Sequence, residues 1–514
     1  MNKKLYFELL FLVILGVASS LSLPPFNYFL INFVTFSLFF LFLHKKLNQH
    51  KDVNFFFIYG WTFGFGYFVS NLYWIPISLT FDQNFKFLIP ISIILIPAFL
   101  AIFYGLISYF FFIIKPKKII GSFLTFSLIF GVLEFIRGYI LTGFPWNLIA
   151  YSFSNQLELL NITSVIGTYG FNLFCISLFT CPAVFILKSS KKNFGVLIFF
   201  LITTVFFSFN GHLSKQKFDK AEKKKYEFKL RVIGSNISLD RFYENIDTVS
   251  IIQDLTKISK PLADEKTIFV WPEGIIPGIS KEKLDEYSWL FDNEFTENHI
   301  FIIGINSQTN NDGILSYYNS LSIYNNRLDI ISSYNKINLV PFGEFLPFEY
   351  ILKSIGLKSL TNNYQSFSRG DQRDIIEIKQ KNFPLKILPL ICYEIIYSGK
   401  LFNNSEFDLI LNISEDGWFG KSIGPRQHFV HSIFRAIESG KYVARSSNNG
   451  IAGIINPLGI VEQKVNFGES GYIDLKEIKK IQPTIFSNYG NKIFGFLILL
   501  YIFLIFSFNK IKNE

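Results

Sequence analysis

Leu385-Lys-Ile-Leu-Pro-Leu-Ile-Cys392-Tyr-Glu394 is an apolar run of strand length that stops on the only cysteine in the polar half of the chain. Two other segments have the same form. Thr267-Ile-Phe-Val-Trp-Pro-Glu273 is an apolar strand ending on a carboxylate, and Ile331-Ser-Ser-Tyr-Asn-Lys336 is a strand-like run ending on a lysine. A thiol, an ammonium and a carboxylate, each at the end of a different strand, can converge at one edge of a sheet.

The surroundings of these strands are unusual. Of 514 residues half are hydrophobic and 18% aromatic, including 63 phenylalanines, which is too apolar for an ordinary soluble protein. The excess is concentrated in residues 1–210 and 490–508, whereas 211–489 have the composition of a folded soluble domain. A net charge of +10 could point to nucleic acid. The lysines argue against that partner, because many stand in short loops between apolar segments, where they set membrane orientation. Three cysteines give no disulfide framework. Cys175 and Cys181 lie inside an apolar segment and read as small core residues. The histidines and Cys392 form no zinc pattern, so neither a metal nor an organic cofactor is expected.

Seven apolar segments precede the soluble domain, at about 5–22, 27–43, 54–75, 88–113, 119–140, 162–187 and 194–210, and an eighth follows at about 491–508. Each is near the roughly 20 residues that cross a hydrocarbon core. The first could pass for a signal peptide, but it leads into another membrane segment and reads as a retained helix. Lys3 and Lys4, the loop His44–Lys51, the loop Lys115–Lys118, the loop Lys188–Lys192, and Lys510 with Lys512 all fall on one side if every segment crosses. By the positive-inside rule that side is the cytoplasm. The expected organisation is a transmembrane domain of seven helices over 1–210, a basic linker over 211–227, a catalytic domain over 228–480 on the outer face, and a C-terminal transmembrane helix over 491–508. Within the membrane half, Glu134 and Arg137 can pair at i,i+3 or snorkel from a helix end. Phe144-Pro-Trp146-Asn147 is either an interfacial aromatic anchor or a substrate contact.

The soluble half alternates strands and helices, which predicts layers packed about a buried sheet. Strands are expected at 230–235, 267–271, 299–305, 318–324, 329–335, 374–379, 385–391, 408–413, 441–447 and 450–456. Helices are expected at 246–259, 281–295 and 425–440, the last amphipathic, with an irregular stretch from about 337 to 373.

A cysteine nucleophile attacks as its thiolate; a base takes its proton and a nearby cation stabilises negative charge. Glu273 supplies a base and Lys336 a cation. When a thiolate attacks an ester or amide, the carbonyl oxygen becomes negative, and an ammonium beside it stabilises that charge. Acyl transfer through a thioester suits this set. His428 and His431 fall on the amphipathic helix, where packing or surface roles are expected.

Trp271-Pro-Glu273, Tyr334-Asn-Lys336 and Ile391-Cys392-Tyr393-Glu394 resemble the three catalytic segments of the nitrilase, or carbon–nitrogen hydrolase, superfamily. Longer strings narrow the resemblance. Asn338-Leu-Val-Pro-Phe-Gly-Glu344-Phe-Leu-Pro347, Asn412-Ile-Ser-Glu-Asp-Gly-Trp418-Phe-Gly420, Gly424-Pro-Arg-Gln-His428, Gly143-Phe144-Pro-Trp146 and Gly64-Phe-Gly-Tyr-Phe-Val-Ser-Asn-Leu-Tyr-Trp74 resemble the apolipoprotein N-acyltransferase family. The resemblance covers nearly the whole chain. It implies a polytopic helical membrane bundle of about eight transmembrane helices carrying a nitrilase-like α-β-β-α sandwich.

For the site it implies Glu273 as general base, Lys336 as oxyanion-stabilising cation and Cys392 as nucleophile. Glu344, Tyr393 and Glu394 would support them, Glu344 either directly or as a structural carboxylate. Trp271, Trp418, Trp146 and Phe144 are candidate substrate contacts. The implied partners are a phospholipid acyl donor, a diacylated apolipoprotein acceptor and the lipid bilayer. The implied location is a bacterial inner membrane, with the catalytic domain periplasmic and both termini cytoplasmic. The chain departs from the family pattern at Gly234-Ser235-Asn236-Ile237, where Gln-Gly-Asn-Ile is usual, and at Glu415, where Asn is commoner. Phe242 and Tyr243 stand where a tryptophan is frequent. A membrane-tethered amidase or nitrilase acting on a small C–N substrate is the rival enzyme, and an inactive membrane scaffold the non-catalytic rival. The broken polar helices of a transporter are not evident.

Overall fold

The computed structural model describes residues 3–510 apart from 48, 50–51, 244–246, 312, 355–365, 381 and 402–405. Parts of the expected loops at 44–51 and 337–373, and Lys512, therefore lie outside the described residues. The chain forms two compact units. One comprises Met1–Pro76, Phe87–Gln216 and Thr484–Glu514; the other comprises Ile77–Lys86 and Lys217–Pro483.

The first unit is helical. Its long helices are Lys3–Ser20, Leu30–Lys46, Val53–Leu72, Ile89–Ile114, Ile119–Arg137, Thr163–Leu187, most of Lys191–Asp219, and Lys492–Lys510, one for each expected apolar segment. Among the described residues five stretches are long and apolar enough to cross a membrane: Gln83–Ile114, Ile119–Arg137, Thr163–Leu187, Lys191–Asp219 and Lys492–Lys510. The other three fall short of the expected eight for visible reasons. Lys3–Ser20 carries Lys3, Lys4 and Glu8; Leu30–Lys46 is 17 residues long and ends His44-Lys-Lys; Val53–Leu72 is diluted by glycines and polar groups. The interior is aromatic, with Phe39 stacked on Phe63 at 4.2 Å and Phe126 and Phe130 packed edge-on. The exterior exposes Ile94, Leu95, Val205, Phe206, Leu499 and Phe503, a surface suited to hydrocarbon rather than water. Glu134 and Arg137 do not snorkel. Both are buried, and Glu134 accepts from Tyr104 Oη at 3.0 Å and Asn172 Nδ2 at 2.5 Å while Arg137 donates to the Phe144 carbonyl.

The second unit is built on twelve strands: β1 (Lys223–Ser235), β2 (Thr267–Val270), β3 (His299–Asn311), β4 (Ile314–Tyr324), β5 (Ile330–Asn335), β6 (Ile376–Ile378), β7 (Leu385–Ile391), β8 (Leu409–Glu415), β9 (Tyr442–Asn448), β10 (Ala452–Ile455), β11 (Val461–Val465) and β12 (Gly471–Lys479). They run in the order β5-β4-β3-β2-β1-β9-β8-β7-β6, with β12 beside β1 and the β10–β11 hairpin beside β9. Among the described residues β1 and β9 pair over just Gly234–Ser447 and Ser235–Asn448, so the two halves diverge and fold face to face. Val232, Ile268 and Ile300 from one half share a single buried cluster with Leu411, Ile413 and Ala444 from the other. Outside the first half, Ile233, Phe269 and Phe301 pack with Ile251, Leu255 and Phe291 of the helical layer. Helix Gly424–Ser439 lies against the second half. This is the expected α-β-β-α layering.

Several sequence expectations need correction. The basic linker at 211–227 is not irregular. A helix runs to Asp219, and Lys223–Ser235 is one strand, because Tyr226 and Phe228 alternate with the charged Lys225, Glu227 and Lys229 and turn their rings inward. The helix expected at 425–440 is buried along its length except at Arg426, so His428 and His431 are interior groups. Residues 281–295 form a 3-10 turn and only one short helix. Strands β11 and β12 were not anticipated, since their charged residues interrupt any apolar run. Pro389 fits within β7 because β6 pairs only with Leu385–Ile387, leaving no ladder bond on that flank for the missing N–H to break.

Candidate active site

β2, β5 and β7 end at one rim of the unit, and their next residues carry the groups singled out above. Lys336 follows β5 and Cys392 follows β7, while Glu273 lies just beyond β2. The turn bearing Glu273 passes so close to β3 that a Cβ on Gly304 would lie 2.4 Å from Glu273 Cα, so only glycine fits there. Cys392 has φ +49°, in the left-handed region that side chains disfavour at a cost of about 1–3 kcal/mol. That sharp turn lifts it out of the strand and starts the 3-10 helix Cys392–Ile396.

Lys336 is buried, and its Nζ lies 3.0 Å from Glu273 Oε1 and 2.9 Å from Glu344 Oε1. Asn319 of β4 donates from its single Nδ2 to both carboxylates, at 2.7 Å each. The other Glu273 oxygen accepts from the Glu415 N–H at 2.9 Å, and the other Glu344 oxygen from the Val340 N–H at 2.8 Å. Burial opposes the charge on Lys336, but Glu273 and Glu344 outweigh it and hold the ammonium well above the usual lysine range. Burial raises the Glu344 carboxyl; Lys336 pulls it back and Glu273 adds to the rise, leaving it above the usual range. Burial also raises the Cys392 thiol, Glu273 raises it further, and Lys336 offsets part of this. The resting Cys392 is thus a neutral thiol, and a thiol attacks only once a base has taken its proton.

Glu394 ties two of the three strand ends together. It accepts from the N–H groups of Ile391, Ile337 and Asn338 and from Tyr334 Oη, and pairs with Arg373 at 2.6 Å. Burial works against its charge, but Arg373 and these donors keep its carboxyl below the usual range. Tyr393 is nearly buried and meets Tyr397 edge-on.

Three features were not legible in the sequence. Asn319 sits in an unremarkable strand. Asp416 stands in a quoted motif without a role, and His428 reads only as a packing or surface group: its Nδ1 is 2.8 Å from Asp416 Oδ1, and its other ring nitrogen is 3.3 Å from the Cys392 carbonyl. Arg445 completes this buried group, donating to both Asp416 oxygens.

Two of the three departures from the family pattern are internally compensated. Ser235 donates to Asn448 at 2.6 Å, and the Glu415 carboxylate is neutralised by Arg241 at 2.5 Å. Among the candidate substrate contacts, Trp271 is corrected. It is fully buried against Phe291 and Phe301, with its indole N–H on Ser259, and is a core residue. Trp418 is half-exposed and framed by Phe81, Phe242 and Tyr243. Phe144 and Trp146 belong to the helical unit, stacked on one another with Trp74 against Trp146.

Residues 15–181 match the family model of the apolipoprotein N-acyltransferase N-terminal domain, and residues 251–479 match that of carbon–nitrogen hydrolase. The chain is 30% identical over 477 residues to the apolipoprotein N-acyltransferase of Rhizobium rhizogenes, covering 90% of this chain and 88% of that protein. It is 30% identical over 511 residues to the apolipoprotein N-acyltransferase of Rhodopseudomonas palustris, covering 95% and 93%. Among solved structures, Saccharomyces cerevisiae Nit3, a member of branch 10 of the nitrilase superfamily, aligns over 50% of this chain and 90% of its own at 17% identity and a TM-score of 0.33.

Proposed function

This chain belongs to the apolipoprotein N-acyltransferase family, and from that premise we propose how its residues divide the reaction. It is an acyltransferase of the membrane, acting on lipid substrates through a carbon–nitrogen hydrolase domain.

In the first half-reaction Glu273 takes the Cys392 proton as the sulfur attacks the ester carbonyl of a phospholipid. Lys336 stabilises the oxyanion. The ester C–O bond breaks, a lysophospholipid leaves with the proton, and the acyl chain stays on sulfur as a thioester. In the second, the α-amine of an S-diacylglyceryl-cysteine at a lipoprotein N-terminus attacks the thioester. The C–S bond breaks, an amide forms, and Cys392 returns to its thiol. Glu344 and Asn319 hold Lys336 and Glu273 in place, and Glu394 fixes the strand ends. Two lipid substrates call for a site within reach of a bilayer, and a thioester kept from water is transferred rather than hydrolysed.

We further read the chain as a multi-pass protein of a bacterial inner membrane, with eight transmembrane helices, both termini cytoplasmic and the catalytic domain periplasmic. Its support is the one-sided distribution of loop lysines. The domains are proposed as 1–210, 228–480 and 491–508.

The observation that most strongly supports the chemistry is the meeting of Glu273 and Glu344 on one buried ammonium beside a cysteine on a strained turn. The test is a thioester trap. Full-length protein in bilayers is given phospholipid with a labelled acyl chain, denatured, and treated with neutral hydroxylamine. Hydroxylamine-labile label on wild type and none on Cys392→Ala, discharged by a diacylated lipopeptide, is expected. Absence of label from folded wild type would overturn the nucleophile assignment and favour hydrolysis of a small C–N substrate.

A further inference from the structure

Both half-reactions pass through a Cys392 thiolate, as nucleophile in the first and leaving group in the second. Lys336 is the cation near it, but that ammonium already has two carboxylates as partners. The groups around the sulfur therefore matter. β7 and β8 run parallel with Ile391 opposite Ile413, which sets Cys392 and Ser414 side by side at the next step. Ser414 is fully buried, and its hydroxyl lies within reach of the Cys392 thiol, where it works to lower the thiol that burial raises. It also donates to Asp416 Oδ1 at 2.7 Å.

A hydroxyl has one proton and two acceptor lone pairs. While its proton points at Asp416, Ser414 can only accept from Cys392, which suits a neutral S–H. Once the thiol has lost its proton the sulfur needs a donor, and the same hydroxyl can turn to supply one. Asp416 can release it without being stranded. It keeps Arg445 on both oxygens, His428 on Oδ1 and Ser447 on Oδ2.

We propose that Ser414 is a further catalytic residue, whose hydroxyl turns from Asp416 to the Cys392 sulfur whenever that sulfur carries negative charge. No additional proton is consumed. The S–H proton goes to Glu273 and on to the departing lysophospholipid, the Ser414 proton only changes its acceptor, and the proton lost by the attacking amine restores the thiol in the second half-reaction, when Ser414 turns back to Asp416. The charged and titratable groups facing the sulfur are Glu273 after β2, Lys336 after β5 and Asp416 after β8. His428, from the helix, faces the Cys392 carbonyl. The contribution rests on charge-assisted hydrogen bonding, which is roughly twice as strong as the neutral kind.

The proposal depends on Cys392 being the nucleophile, and the test separates the two ideas. Alkylation of Cys392 by iodoacetamide is followed against pH in full-length protein in bilayers, with the modified cysteine mapped by mass spectrometry. Wild type, Ser414→Ala and the isosteric pair Ser414→Thr and Ser414→Val are compared. Removing the hydroxyl is expected to move the alkylation midpoint up by about one pH unit, equivalent to about 1.4 kcal/mol. Thioester formation should slow about tenfold or more. Ser414→Thr should keep the wild-type midpoint while Ser414→Val shifts, which separates the hydroxyl from packing even if Ser414→Ala does not fold. Equal midpoints for Thr and Val, or an unshifted Ala variant, would overturn the proposal. Failure of wild type to form a thioester would instead count against Cys392 as nucleophile, and the alkylation profile would still report the Ser414 contact.

Discussion

Lys336 illustrates how much depends on single residues at this site. It is one cation shared by two buried carboxylates. Lys336→Met would leave Glu273 and Glu344 facing each other without compensation. Breaking a buried ion pair from one side costs about 3–5 kcal/mol, so a marked fall in the thermal unfolding midpoint is expected together with loss of thioester. Asn319 is a positioning residue, since it touches the two carboxylates through one nitrogen and does not touch the sulfur. Asn319→Ala should lower kcat by about 10–100-fold with little change in KM. A KM effect alone would argue for a substrate-binding role instead. The thiol itself gives a pH prediction. Burial and Glu273 raise Cys392, so the neutral form dominates at neutral pH and the thiolate fraction grows as pH rises. Alkylation of Cys392 should be slower than that of a free cysteine at neutral pH and still be climbing at about pH 9, above the usual thiol value.

At the scale of elements, the site depends on strand ends held in register by buried polar groups. Glu394 receives backbone N–H groups from both sides of the cleft between β5 and β7. Glu394→Gln puts an NH2 where only acceptors fit, so thioester formation should fall by about two orders of magnitude while the chain stays folded. Circular dichroism alongside the thioester assay distinguishes this from global unfolding. Asp416 fixes β8, β9 and the buried helix. Burial works against its charge, but Arg445 and His428 prevail and hold the carboxyl well below the usual range. A depressed folded-state pKa stabilises above the unfolded value and is lost as pH falls. The unfolding midpoint should therefore decline below about pH 4, and Asp416→Asn should flatten that decline from a lower starting point. The strand ends themselves were readable because an apolar run that meets one polar residue is a local pattern. Asn319, Arg445 and the partners of His428 were not, because each acts on residues far away in sequence.

For the whole molecule, the proposed orientation makes a simple prediction. Glu297 is exposed on the second unit, and the three native cysteines are buried. A membrane-impermeant maleimide should label Glu297→Cys in right-side-out vesicles and fail to label it in intact inverted ones; the opposite pattern would reverse the topology. By itself the sequence determined that the chain has a membrane half and a soluble α/β half, where the long helices of the membrane half fall, and which cysteine, lysine and glutamate to examine. Hydropathy, loop charge and strand periodicity are properties of neighbouring residues, and so they survive in one dimension. The basic tract was misread for the same reason. Its lysines dominate local composition, whereas the inward turn of Tyr226 and Phe228 becomes visible only once β12 and the core are beside them. Only the tertiary structure decided that Trp271 is core, that the helix carrying His428 is buried except at Arg426, and that two glutamates and an asparagine enclose Lys336. Burial and charge balance arise from contacts between distant segments, and no window of sequence contains them.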